Sequence, residues 1–221
     1  MMKRVIFIGG RGKWRSTIGK RWMVTDILKG FENGELSLEE AAKRIGARRA
    51  TIEVGSESSV HARLDSERTS RTGVPEVIFG EGKSIDQMVD IFRSLKDSNQ
   101  SGNGAMATRV SRKAFLEIRD TDPNLAKELT YYSDARICVL KSKYQQHNKE
   151  TVGKIAVVCA GTSDVPVFEE AAVSSELLTR AHVERVTDVG VAGIHRLFSE
   201  LPRIEDADVV IVCAGMDGAL P

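Results

Sequence analysis

The sequence predicts an α/β protein whose C-terminal part is built on a parallel sheet. Three runs rich in β-branched residues, at residues 155–159, 183–187 and 209–213, alternate with helical patterns at residues 167–180 and 194–201. Right-handed crossovers between such strands make them parallel, so the loops that follow them lie at one edge. Ligands bind at that edge in parallel α/β sheets, and we therefore expect the chemistry of the protein there.

The composition is that of an ordinary globular protein, with 221 residues, 41% hydrophobic and 29% charged. The 32 basic residues are matched by 31 acidic ones, which removes the electrostatic argument for a nucleic-acid-binding protein. No apolar run approaches the roughly 18 residues that span a bilayer. The predicted partners therefore include neither nucleic acid nor a membrane.

The three cysteines, Cys138, Cys159 and Cys213, lie inside or at the ends of apolar runs, without the spacing of a zinc site. We predict that they are small buried apolar side chains, and that the protein works in a reducing cytoplasm. The histidines have no nearby ligand partners in the sequence, so no metal site is predicted.

The N-terminal half predicts a separate small α/β domain at residues 26–140, after an N-terminal extension at residues 1–25. Its helix starts are indicated by two capping boxes, Ser37 with Glu40 and Ser84 with Gln87. The polar residues 141–153 are the predicted linker to a nucleotide-binding domain at residues 154–221. Three strands leave one edge of that domain uncovered, so we expect its sheet to be truncated at the C-terminus or completed by another chain.

The first predicted strand of the C-terminal domain leads into Gly161, Thr162, Ser163 and Asp164, directly before a helix. Backbone amides at a helix start and two hydroxyls suit a phosphate or a ribose. The same residue types also serve as ordinary helix caps, and that interpretation stays open.

The second and third strands also lead into loops with polar or charged side chains. The second loop carries Gly193, His195 and Arg196, where the guanidinium could hold a phosphate and the imidazole could exchange a proton. The third carries Gly215 and Asp217, a carboxylate between glycines. Each feature alone is more often structural, but three at successive strand ends predict a substrate site.

Several motifs resemble the LarB family of nickel-pincer nucleotide carboxylases and hydrolases, the pyridinium-3,5-biscarboxylic acid mononucleotide synthases. They are Gly161-Thr-Ser-Asp-Val-Pro166, Glu169-Glu-Ala171, Asp188-Val-Gly-Val-Ala-Gly-Ile-His-Arg-Leu197 and Ala214-Gly-Met-Asp-Gly-Ala-Leu-Pro221. Residues 71–83 and 107–110 resemble the family's N-terminal domain. The C-terminal part is similar in turn to PurE-type aminoimidazole ribonucleotide carboxylases and mutases, which implies a PurE-like, flavodoxin-like three-layer α/β domain.

The resemblance implies carboxylation of the pyridinium ring of nicotinic acid adenine dinucleotide, with hydrolysis of its phosphoanhydride to release AMP. It assigns proton transfer to Asp217 and His195, and substrate binding to the other residues of the three loops. It implies no tightly bound cofactor, CO2 or bicarbonate as substrate, Mg2+ as an open question, and a homo-oligomer, octameric by resemblance. The family's nucleophilic cysteine lies downstream of the third loop, so activity of these 221 residues is a separate question.

Two alternatives stay open at this point. The first is aminoimidazole ribonucleotide carboxylation or mutation in purine biosynthesis, since Ser163, Asp164, His195 and Arg196 stand where those enzymes surround a ribonucleotide. Against it, Gly193-Ile194 replaces their Ser-Ala pair. The second alternative is a non-catalytic nucleotide-binding or assembly subunit.

Overall fold

The computed structural model describes residues 4–9, 24–46, 51–56, 59–65, 68, 72, 74–97, 105–140, 151–215 and 218–221. Within these residues the chain forms ten strands and seven α-helices, which confirms the predicted α/β class. The chain divides into two compact units, one of residues 13–76 and one that combines residues 1–12 with residues 77–221. None of the helices in the described ranges combines the length and apolar character needed to cross a bilayer.

The unit of residues 13–76 contains a helix pair and a β-hairpin. The elements are α1 (Val24–Glu32), α2 (Leu38–Gly46), β2 (Thr51–Ser56) and β3 (Ser59–Asp65). The predicted cap of α2 is present, since the Ser37 hydroxyl accepts from the Glu40 N–H at 3.1 Å. The hairpin is antiparallel with a bulge at Gly55, where φ is 131°. No pattern in the sequence had indicated this hairpin.

The larger unit contains two sheets, of which the first comes from residues 77–140. Its strands, in spatial order, are β4 (Val77–Phe79), β5 (Met106–Thr108), β7 (Ile137–Leu140) and β6 (Leu129–Tyr132). Its helices are α3 (Ile85–Asp97), α4 (Arg112–Thr121) and α5 (Pro123–Ala126). The capping box before α3 is confirmed, because the Ser84 N–H donates to Gln87 at 3.0 Å and the Gln87 N–H donates to Ser84 at 3.2 Å.

The second sheet comes from residues 154–214 together with the N-terminus. Its strands, in spatial order, are β1 (Arg4–Gly9), β10 (Val209–Ala214), β8 (Lys154–Cys159) and β9 (His182–Val186). Its helices are α6 (Val165–Leu178) and α7 (Ile194–Glu205). Strands β8, β9 and β10 are parallel, as the sequence predicts.

Strand β1 pairs antiparallel along the whole of β10, so the sheet has a fourth strand that the sequence analysis did not predict. The expected truncation, or completion by another chain, stays a prediction. Arg4 lies opposite Ala214, and Gly9 lies opposite Val209. A segment predicted as an extension therefore supplies the fourth strand, from the opposite end of the chain. The domain boundaries of the sequence analysis stay predictions. Most of the proposed linker lies outside the described residues, while the compact units divide between Glu76 and Val77.

Helix α6 lies between the two sheets and is apolar on both sides. One side packs on the second sheet, where Phe168 and Ala172 join a cluster with Val157 and Ile211. The other side faces the first sheet, where Val173 joins Met106, Ala135, Ile137 and Val139. The core of this unit therefore continues from one sheet to the other through α6.

We expect Phe168→Ala to lower the free energy of unfolding by about 3–5 kcal/mol, since it removes a buried ring and leaves a cavity. The Phe168 side chain is 1% exposed. The matched control is Phe79→Ala, at a ring that is 55% exposed, with an expected cost under about 1 kcal/mol. Urea unfolding followed by circular dichroism measures both, and equal costs would contradict the packing of α6.

Candidate functional site

The loops that follow β8, β9 and β10 are joined by backbone hydrogen bonds at the carboxyl edge of the sheet. The Ala160 N–H donates to the Cys213 carbonyl at 3.4 Å. The Val189 N–H donates to the Cys159 carbonyl at 3.2 Å, and the Gly190 N–H to the Ala160 carbonyl at 3.0 Å. The three loops therefore lie side by side.

The first loop folds into a 3-10 turn, Thr162–Asp164, that runs directly into α6. The Asp164 N–H donates to the Gly161 carbonyl at 3.0 Å. Thr162 and Ser163 are exposed, whereas Asp164 is only 6% exposed. A Cβ atom on Gly215 would lie 3.7 Å from the Asp164 carboxylate, so the first and third loops meet at this buried carboxylate.

The second loop forms a 3-10 turn, Val191–Gly193, followed by α7. The Arg196 side chain returns over it, because a Cβ atom on Gly193 would lie 2.7 Å from Arg196 Nε. Arg196 Nη1 also donates to the Asp188 carboxylate at 2.5 Å. Asp188 has a left-handed backbone with φ of 60°. Sequence reasoning did not identify this partner, although Asp188 begins one of the motifs that carry the resemblance.

His195 is the second residue of α7 and is exposed beside Arg196. Asp217 lies outside the described residues. Gly161, Thr162, Ser163, Asp164, Gly193, His195, Arg196 and Gly215 are all at the carboxyl edge of the second sheet. The first loop offers exposed hydroxyls and a buried carboxylate, and the second offers an imidazole and a guanidinium. The chemical role of each residue stays a prediction.

The three thiols are buried, as the sequence predicts. Burial, followed by the neighbouring Cys159, Asp164 and Glu170, raises the pKa of the Cys213 thiol to about 12. Burial likewise raises the pKa of Cys138 to about 12. Burial also raises the pKa of Cys159, although a backbone hydrogen bond from Asp188 lowers it in part. A thiolate nucleophile needs a lowered pKa and access to solvent, and these thiols have neither.

A metal ion would need a cluster of metal-binding side chains among the described residues. Among those residues, the His, Cys, Asp and Glu side chains form no group of three or more that could hold a metal ion. The charged groups at the candidate site instead pair with each other, as Arg196 does with Asp188.

We expect the native protein to react very slowly with iodoacetamide at pH 8. At that pH a thiol with a pKa near 12 is ionised to only about one part in ten thousand, and burial blocks access as well. Mass spectrometry after timed quenching measures the reaction, and the urea-unfolded protein, with three reactive cysteines, is the control. Rapid native modification of Cys213 would contradict its burial.

We expect Gly190→Ala to distort the joined loops, because the added Cβ would lie 2.9 Å from the Ala160 carbonyl oxygen. Overpacking of this kind costs about 1–3 kcal/mol of stability. Gly161→Ala is the matched control, since its Cβ would meet nothing within 4 Å and its φ of −162° suits any residue. Thermal unfolding of both variants tests this, and equal melting temperatures would contradict the close approach.

Two comparisons with known proteins find similarity, one to a family model and one to a single archaeal protein. Residues 56–143 match the family model described as the LarB/PurE-like N-terminal domain. The chain is also 39% identical over 203 residues to an uncharacterized protein of Methanocaldococcus jannaschii. That match covers 89% of this chain and 73% of the archaeal protein. The similarity therefore extends over most of both proteins.

Proposed function

Because the chain belongs to the LarB/PurE family, we propose that it takes part in the carboxylation of a nucleotide. The proposed substrate is nicotinic acid adenine dinucleotide, carboxylated on its pyridinium ring and hydrolysed at its phosphoanhydride to release AMP. The observation that supports this most is the meeting of three loops at the carboxyl edge of the second sheet, with Asp164 beside Gly215. Parallel α/β sheets bind nucleotides at such an edge.

The binding part of the proposal rests on the first two loops. A substrate phosphate would replace the Asp188 carboxylate as the partner of Arg196, which exchanges one charge-assisted hydrogen bond for another. The exposed hydroxyls of Thr162 and Ser163 would bind the ribose or a second phosphate. Asp164 is too deeply buried to move far, so it suits a fixed contact to a sugar hydroxyl.

The chemical part of the proposal concerns an electron-poor ring. A pyridinium carbon does not attack CO2, but addition of a thiolate at C4 breaks the aromaticity and makes C5 the nucleophilic end of an enamine. C5 then bonds to CO2, a base removes the C5 proton, and the departing thiolate takes back its electron pair. We assign the proton transfers to Asp217 and His195. The buried Cys138, Cys159 and Cys213 are unsuited to supply the thiolate.

We propose carboxylation of aminoimidazole ribonucleotide as a second candidate, because Ser163, Asp164, His195 and Arg196 stand where enzymes of that kind surround a ribonucleotide. The imidazole carbon of that nucleotide is already the nucleophilic end of an enamine, so it needs no thiolate. Its ribose phosphate would bind the same loops, including Arg196.

The two candidates are separated by offering each nucleotide with labelled bicarbonate to a form of the protein that also carries the family's downstream cysteine segment. We expect acid-stable label in the pyridine ring together with released AMP. Label in the imidazole alone would reject the first candidate. Tight binding of the dinucleotide without any label would favour a nucleotide-binding subunit. A Cys213→Ser variant run in parallel should not differ from the native protein, because the thiol is buried.

We expect Arg196→Ala to weaken binding of the dinucleotide by about 10- to 100-fold, the effect of losing charge-assisted bonds worth about 1.5–3 kcal/mol. Asp217→Asn should leave binding nearly unchanged and lower turnover, because a proton-transfer group acts mainly in the transition state. Calorimetric titration and single-turnover assays measure the two effects. Arg119→Ala is the control, since Arg119 pairs with its exposed neighbour Asp120. The reverse pattern would contradict both assignments.

We also propose that the protein forms a homo-oligomer. Val191, Ile194 and Phe198 are exposed along the start of α7, next to His195 and Arg196, and apolar side chains grouped in this way favour association. Sedimentation velocity at micromolar concentration should show an assembly, and Phe198→Glu should shift it toward smaller species. A monomeric native protein would contradict this proposal.

A further inference from the structure

The residue after β5 has a backbone conformation that is uncommon without glycine. Arg109 has a φ of 57°, in the left-handed region. Its neighbours impose this geometry. The Thr108 carbonyl accepts from the Gly80 N–H at 2.8 Å, and the Val110 N–H donates to the Arg136 carbonyl at 2.8 Å. Strained residues persist where the surroundings determine them in this way, and they are frequent near functional sites.

The Arg109 side chain connects the first sheet to α6. Its Nε donates to the Glu170 carboxylate at 2.6 Å, while Nη1 lies 3.8 Å from the Glu81 carboxylate. The side chains of Arg109 and Glu170 are only 28% and 19% exposed. A partly buried pair is screened less by water than a surface pair, so removing one partner leaves a poorly solvated charge.

Glu170 lies close to the candidate site. It stands roughly 9 Å along the helix axis from Asp164, at the usual rise of about 1.5 Å per residue. Glu170 and Asp164 both act on the Cys213 thiol, whose pKa is raised first by burial and then by these neighbouring charges. The Asp164 carboxylate lies beside Gly215, directly after β10, and Arg109 compensates the charge of Glu170 one to two turns further along α6.

We propose that Arg109 is a positioning residue for the candidate nucleotide site. By holding Glu170 it fixes the first turns of α6, and with them the Thr162–Asp164 turn that directly precedes the helix. This inference depends on the proposed function only for the identity of the ligand, a nucleotide. It gives the first sheet, β4 to β7, a part in shaping the site, and it gives Glu170 a role distinct from that of Glu169, which pairs with Arg185.

The decisive variants separate the guanidinium from the backbone conformation. Arg109→Asn removes the guanidinium but tolerates the left-handed region, Arg109→Lys keeps the charge, and Glu170→Gln removes the other partner. Arg119→Asn is the matched control, at an exposed arginine paired with Asp120.

The first measurement is hydrogen–deuterium exchange of the full chain without ligand. We expect Arg109→Asn and Glu170→Gln to speed exchange in residues 160–170 by about fivefold or more, through easier local opening. Residues 194–205 should keep the native rate. Arg109→Lys should lie between, and Arg119→Asn should match the native protein. Native rates at residues 160–170 in both Arg109→Asn and Glu170→Gln would overturn the proposal.

The second measurement is the titration of nicotinic acid adenine dinucleotide into the same variants. We expect the dissociation constant to rise by about 10-fold in Arg109→Asn, with substantial rescue in Arg109→Lys, as couplings between a positioning residue and a site are of this order. Equal losses in both variants would overturn the charge-based role. Should Arg109→Asn fail to fold, Arg109→Lys and Glu170→Gln decide the question. Faster exchange at residues 160–170 in a protein whose native form binds no dinucleotide would support the positioning role while rejecting the proposed function.

Discussion

The burial of α6 on two sides is the constraint on which the larger unit depends. Phe168 and Ala172 pack on the second sheet, while Val173 packs on the first. A helix with apolar side chains on two sides needs a covering layer on each of them, so both sheets contribute to its burial. The same helix begins at the Thr162–Asp164 turn, and any displacement of α6 therefore changes the candidate site.

Electrostatics at the head of α6 follow from that burial. Asp164 lies beside Gly215, directly after β10. Burial first, and then the neighbouring Cys159, Asp164 and Glu170, raise the pKa of the Cys213 thiol and keep it protonated. Arg109 reaches Glu170 from the first sheet, and Arg196 reaches Asp188 within the second loop. Arg109 and Arg196 are therefore both paired with a carboxylate in the absence of a ligand. Under the proposed function, binding of a phosphate at Arg196 would exchange the Asp188 carboxylate for another anionic partner.

Family membership and geometry support different parts of the functional proposal. Similarity to the LarB/PurE family supports nucleotide carboxylation as the class of reaction. The joined loops support the place of binding. Burial makes Cys138, Cys159 and Cys213 unsuited to supply the thiolate that activation of a pyridinium ring requires.

The sequence by itself determined the features that depend on neighbouring residues. The capping box of Ser84 and Gln87, the parallel strands of the second sheet and the burial of the cysteines follow from local pattern and from the handedness of crossovers. The same pattern indicated which loops lie at the carboxyl edge. Only the tertiary structure decided that β1 covers β10, that Asp188 holds Arg196 and that Arg109 holds Glu170. Such pairings join residues through space, and neither strand periodicity nor residue type specifies which charged group, or which sheet edge, a distant segment will meet.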